Sequence, residues 1–191
     1  MSTYIAPTAM VYGAAMVHDS ARVYGSARVY GSAMVYGSAM VYGSARVYGS
    51  AMVYGLARVY SSAMVYGLAR VHGLAMVYGS ARVLGRGDIA STRHWLTVGP
   101  IGSEDRIITV HRHYDGPDSS TWGCLVIAGC WTGTLDELAD RIASTEHGWD
   151  DEEAATYRAD YEAAIACARP RVAEWAAEPL TDADHERWAT R

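Results

Sequence analysis

Valine returns at every sixth position through the first half of the chain, with Arg or Met before it and usually Tyr after it. From Ile5 to Asp88 the pattern resolves into fourteen hexapeptides of consensus V-Y-G-[SL]-A-[RM], from IAPTAM, VYGAAM, VHDSAR and VYGSAR to VLGRGD. The first position is Val or Ile throughout, and the fifth is Ala except at Gly87. A helix cannot use this period. Six residues advance a helix by about 600°, so successive valines would wander around its surface. The β-branched, aromatic and Gly content opposes a helix as well. The spacing predicts a short strand at [RM]-V-Y, with Val inward and its two neighbours outward. Gly then turns a corner and the small Ala points back inside.

These repeats resemble the left-handed parallel β-helix of hexapeptide proteins, in which three units make one triangular coil. The resemblance covers residues 5–90 and implies the left hand, which spacing alone does not give. Fourteen units at three per coil make about 4.7 coils, a rod roughly 22 Å long at the usual strand spacing. Both ends of such a rod expose strand edges, and Pro7 removes one donor near the first.

Three units per coil sort the outward residues into columns. One face carries Arg28, Arg46 and Arg82 beside Tyr12, Tyr30, Tyr48 and Tyr66. A second carries Met16, Met34, Met52 and Arg70 beside His18, Tyr36, Tyr54 and His72. The third alternates Arg22, Met40, Arg58 and Met76 beside Tyr24, Tyr42, Tyr60 and Tyr78. Tyrosine is a good strand residue, and stacked Tyr columns stiffen coils without any further role. Flat surfaces of Tyr, Met and Arg are also the composition of protein interfaces. Two expectations follow. Met16, Met34 and Met52 with Tyr36 and Tyr54 form a self-association surface, giving a dimer or trimer. Arg28, Arg46 and Arg82 with Tyr30, Tyr48 and Tyr66 hold an acidic partner. Arg–Tyr columns would also suit nucleic acid, but the acidic second half and the net charge of −5 disfavour a polyanion.

Residues 1–90 hold seven Arg against Asp19 and Asp88, a balance of +5, while residues 91–191 hold nine Arg against nineteen acids, −10. Two unlike domains are implied, 1–92 a solenoid and 93–191 a small α+β cap. In the latter, residues 94–99, 106–113 and 122–130 read as strands between turn-rich clusters. Thr134 and Glu137 form a capping box that opens a helix with the stripe Leu135, Leu138, Ala139 and Ile142. Asp150 and Glu153 repeat that logic for a longer helix, which Pro170 is expected to break, leaving 171–191 helical in pieces.

The whole chain resembles phage and bacterial proteins with long V-Y-G-[NS]-A arrays and a short C-terminal segment. The matching pieces are Gly99–Ser103, then Gly129-Cys130-Trp131, Gly133-Thr134 and Asp136-Glu137, and finally His147-Gly148. The resemblance implies a phage or prophage setting and no particular activity, with a host protein as the acidic partner.

Half the residues are apolar and 19% charged, which argues against wholesale disorder. No apolar run reaches the roughly 20 residues of a spanning helix, and the N-terminus lacks signal-peptide form. Three cysteines, Cys124, Cys130 and Cys167, make a poor disulfide scaffold and suit a reducing cytoplasm. The expectation is a non-enzymatic binding or scaffold protein with no cofactor and no metal. Alternatives are a small-molecule or nucleotide site, or thiol chemistry, built from Gly99, Gly102, Ser103, Cys130 and His147. Hexapeptide β-helices also include acyltransferases, which use a catalytic His. This array offers only His18 and His72 and lacks the loop insertion those enzymes carry. The pair His111 and His113, with Asp115, could hold a metal, although a polar edge strand accounts for it better.

Overall fold

The computed structural model describes residues 2–102, 104–144 and 152–189, with 152–156 given by backbone alone. The chain divides into two compact units, Met1–Trp95 and Leu96–Arg191.

The first unit is a parallel β-solenoid. Among the described residues, fifteen two-residue strands run from β1 (Tyr4–Ile5) to β15 (Asp88–Ile89), one every six residues. Each pairs in parallel with the strand three units on, so that Arg28 lies against Arg46 and Val29 against Val47, an 18-residue coil. The strands stack into three five-stranded sheets, which makes five coils. The count exceeds the expected 4.7 because Ile89, just past the last hexapeptide, completes with Asp88 a strand that still pairs with Arg70–Val71.

From the second coil onward the interior is as the period requires. Val23, Val29, Val35 and their successors to Val83, with Ala21 to Ala81, are fully buried. Burying each Val is worth roughly 1.5–3 kcal/mol. The first coil is less covered: Tyr4, Ile5, Met10, Tyr12 and Met16 are exposed, and Val11 and Val17 are only half-buried. At the far end Trp95 joins the core cluster, and its Nε1–H donates to the Met76 carbonyl at 2.9 Å.

The corners explain the Gly. Gly49 has φ +72°, and a Cβ there would sit 3.0 Å from the Gly67 nitrogen of the next coil. Two units dispense with Gly yet keep the left-handed backbone, Asp19 at φ 60° and Ser61 at φ 60°. Asp19 compensates: its Oδ2 accepts the Gly37 N–H at 3.1 Å and meets His18 Nδ1 at 3.1 Å. The Gly37 bond first, then His18, holds its carboxyl below the usual range. Nothing in the structure explains Ser61.

The second unit has a four-stranded sheet of order β16 (Trp95–Ile101), β17 (Arg106–His113), β18 (Gly123–Ala128) and β19 (Trp131–Gly133), with β17–β18 and β18–β19 antiparallel. Helix α1 (Leu135–Ala143) starts at the expected capping box: Glu137 N–H donates to Thr134 Oγ1 at 3.1 Å, and Thr134 N–H to Glu137 Oε2 at 2.7 Å. It buries Leu135, Leu138 and Ile142. Helix α2 (Glu152–Ala176) carries Pro170 inside it, so Pro170 does not end the helix. A proline removes one helical N–H and crowds the preceding turn; here packing on both sides holds the helix together, with Ile165 and Ala168 buried before it and Trp175 after it. The second capping box, at Asp150, lies outside the described residues. Helix α3 (Asp182–Ala189) opens on Thr181, whose Oγ1 accepts the Asp184 N–H at 3.3 Å while Asp184 Oδ2 accepts the Thr181 N–H at 3.0 Å. Among the described residues no helix is long and apolar enough to cross a membrane.

Candidate functional site

Parallel in-register stacking places like residues over like, and this turns the tyrosine columns into ring ladders. On the first face Tyr12, Tyr30, Tyr48 and Tyr66 stack with centroids 4.8–5.0 Å apart and planes within 5°. The second face stacks His18, Tyr36, Tyr54 and His72 at 5.0–5.2 Å. On the third, Tyr24, Tyr42, Tyr60 and Tyr78 stack at 4.9–5.3 Å, and Trp95 closes the column edge-on at 5.1 Å. The spacing is the strand repeat itself. Packing among the rings carries a chemical signature: burial first, then the Tyr66 and Tyr30 phenols, raises the Tyr48 hydroxyl above its ordinary pKa.

The arginines beside the first ladder divide into two kinds. Arg28 and Arg46 are adjacent in register, exposed, and carry no ion pair among the described residues. Arg82 is half-buried, and its Nη2 donates to Tyr66 Oη at 2.8 Å. The Arg82–Tyr66 end of the expected partner surface is therefore occupied by an internal contact, and the open cations of that face are Arg28 and Arg46.

The methionine face differs from expectation. Met16 is exposed and Met34 half-buried, but Met52 is only 8% exposed and Arg70 3%. Met52 is thus largely covered within the chain, and the open methionine of this column is Met16. At the top of the same face Asp88 is fully buried and meets His72 Nε2 at 3.1 Å.

In the second unit the two glycines expected in a ligand site lie against packed neighbours. Gly99 lies in β16, where a Cβ would strike the Arg106 carbonyl oxygen at 2.5 Å. Gly102 is pressed against Tyr161, whose hydroxyl would be 2.8 Å from a Cβ. Both glycines make room for these neighbours. Cys130 is exposed, in the turn after β18. Ser103 and His147 lie outside the described residues. Cys124 is buried, and desolvation pushes its thiol up, away from reactivity.

The rings of His111 and His113 lie 6.2 Å apart and take different partners. His111 is fully buried, its Nδ1–H donates to the Arg112 carbonyl at 2.9 Å, and desolvation lowers its pKa to about 3. His113 Nδ1 instead meets Asp115 Oδ1 at 3.0 Å. Among the described residues no three His, Cys, Asp or Glu side chains gather as metal ligands.

Sequence reasoning missed an aromatic and ionic cluster in this unit. Arg112 is buried, with its guanidinium 4.0 Å over the Trp122 ring and Nη1 2.9 Å from Glu178 Oε2. Tyr114 stacks on Trp188 at 5.5 Å and its hydroxyl meets His185 Nδ1 at 3.0 Å. The available signal was the T-x-x-D box at Thr181 and Asp184, which marks α3 and so places His185 and Trp188. Apart from this cluster, a cleft of about 340 Å³ is lined by Trp131, Asp140, Arg141 and Ser144, and its Glu137 is committed to the α1 cap.

A family model described as the YdcK beta solenoid repeat matches residues 21–37 and 27–43. No curated protein and no solved structure matches the chain.

Proposed function

We propose that the chain is a non-enzymatic binding scaffold whose solenoid holds an acidic partner on the face of Arg28 and Arg46. The observation that carries this reading is the ladder beside them. Tyr30 and Tyr48 form a stiff aromatic floor, and Arg28 and Arg46 stand along it in register, exposed and without an acidic partner among the described residues. Tyr and Arg are the residue types that dominate interface energetics, and a rigid ladder loses little conformational freedom on binding. Exposed cations at the strand spacing would attract carboxylates and accelerate encounter more than they fix affinity. The half-buried Arg82 would steady Tyr66 at the edge of that surface. A phage or prophage setting belongs to this reading on the sequence resemblance.

The test uses a fluorescein-labelled peptide rich in Asp and Glu, followed by anisotropy. The wild-type chain is expected to bind at 20 mM NaCl and to weaken steeply by 300 mM. The variant R28E/R46E is expected to lose binding at least tenfold with its β circular dichroism intact. Equal binding by the variant would refute the assignment.

A further inference from the structure

The charges left unpaired in the two units are mainly opposite in sign, Arg141 of the second unit being an exception among the described residues. Arg22, Arg28, Arg46 and Arg58 of the solenoid carry no ion pair among the described residues. In the second unit Asp118, Asp140, Asp160, Glu162, Asp182 and Glu186 are likewise without one. Counted over the two units, Met1–Trp95 has eight Arg against two Asp, +6, and Leu96–Arg191 has eight Arg against nineteen acids, −11. Each unit thus presents the sign that the other attracts, while its own unpaired charges repel a like unit.

We infer that a second copy of this chain is the acidic partner of the Arg28/Arg46 face. The inference rests on the binding role proposed above and names its occupant. The acidic unit of one copy docks on the arginine face of the other, and the reverse contact forms at the same time. Two equal contacts related by a two-fold axis close the assembly as a dimer, whereas a single head-to-tail contact would propagate. Charge complementarity selects this pairing over solenoid against solenoid, which would bring Arg28 and Arg46 against their own kind. The contact differs from the methionine face, whose Met52 is buried.

Sedimentation velocity of the full chain from 1 to 200 µM tests it. Exposed charges interact over a Debye length that shrinks from roughly 20 Å at 20 mM salt to about 4 Å at 500 mM. The wild type is expected to dimerise at 20 mM NaCl, with the dissociation constant rising at least tenfold by 500 mM. R28Q/R46Q is expected to weaken the dimer and R28E/R46E to abolish it, with circular dichroism confirming the fold of each. A monomer at every concentration in low salt overturns the inference. So does a dimer that survives 500 mM NaCl or the charge reversal. If the acidic peptide binds wild type but not R28E/R46E while the chain stays monomeric, the binding role stands and only the identity of the partner is overturned.

Discussion

Replacing Tyr48 by Ala removes the middle rung of the first ladder. Its ring lies 4.8 Å from both Tyr30 and Tyr66, with planes within 5°. Each aromatic stack is worth about 0.5–1.5 kcal/mol beyond the area it buries, so losing two costs about 1–3 kcal/mol. Tyr12 is the natural comparison. It stacks on Tyr30 alone, at 5.0 Å, and is half exposed, so Y12A is expected to cost about half as much. Y48H keeps a ring in place. Histidine already occupies such rungs at His18 and His72, 5.2 and 5.0 Å from their tyrosines, and Y48H is expected to restore most of the loss. Because a solenoid opens locally, the readout is amide hydrogen exchange. The Tyr30 N–H, bonded to the Val47 carbonyl, and the Tyr48 N–H, bonded to that of Val65, report on the rungs directly. If Y48A opens these amides no more than Y12A does, the rings add nothing to each other. Tyrosine would then be present only as a strand former.

Three further outcomes are expected. Gly49 and Gly79 share a positive φ, but a Cβ on Gly79 meets nothing within 4 Å, whereas on Gly49 it meets the next coil's backbone. Denaturant midpoints should therefore show G79A losing about 1 kcal/mol and G49A roughly 1 kcal/mol more; equal losses would mean the coils do not press at this corner. Because the His111 pKa in the fold, about 3, is below the ordinary 6.5, the unfolded chain takes up the proton first. That contribution is complete above pH 6.5 and is lost as pH falls toward 3, about 2 kcal/mol by pH 5. Urea unfolding followed by Trp fluorescence should show the slope in wild type and a flatter one in H111Q. Arg112→Lys keeps the charge but not the planar contact with Trp122, and thermal unfolding of the second unit should reveal a loss of about 2 kcal/mol.

The six-residue period made short strands with Val and Ala inside legible, and the resemblance to hexapeptide β-helices supplied three units per coil. Column membership followed directly, because the pairing of Arg28 with Arg46 is simply the 18-residue coil. Burial along a column did not follow. Nothing in Met16, Met34 and Met52 as a sequence distinguishes the exposed first from the buried third. Local chemistry located α1, where Thr134 and Glu137 satisfy each other within four residues. It failed at Pro170, where long-range packing of Ile165 and Trp175 outweighs a local helix breaker. The glycines of the candidate loop, Gly99 and Gly102, make room for Arg106 and Tyr161, partners that sequence spacing cannot show. The Arg112–Glu178 pair joins residues 66 apart and was equally invisible.

Cysteine cross-linking measures the coil most directly. With Cys130 and Cys167 changed to Ser, since both are exposed thiols, the pair R28C/R46C places two cysteines in register on neighbouring coils, about 4.8 Å apart. That separation lies within disulfide reach, and an intramolecular bond is expected in a mild redox buffer, read by mass spectrometry of the monomer. R28C/M40C, two units apart and on different faces, is expected to stay reduced. A bond in R28C/M40C and none in R28C/R46C would contradict the 18-residue coil, and with it the arginine face.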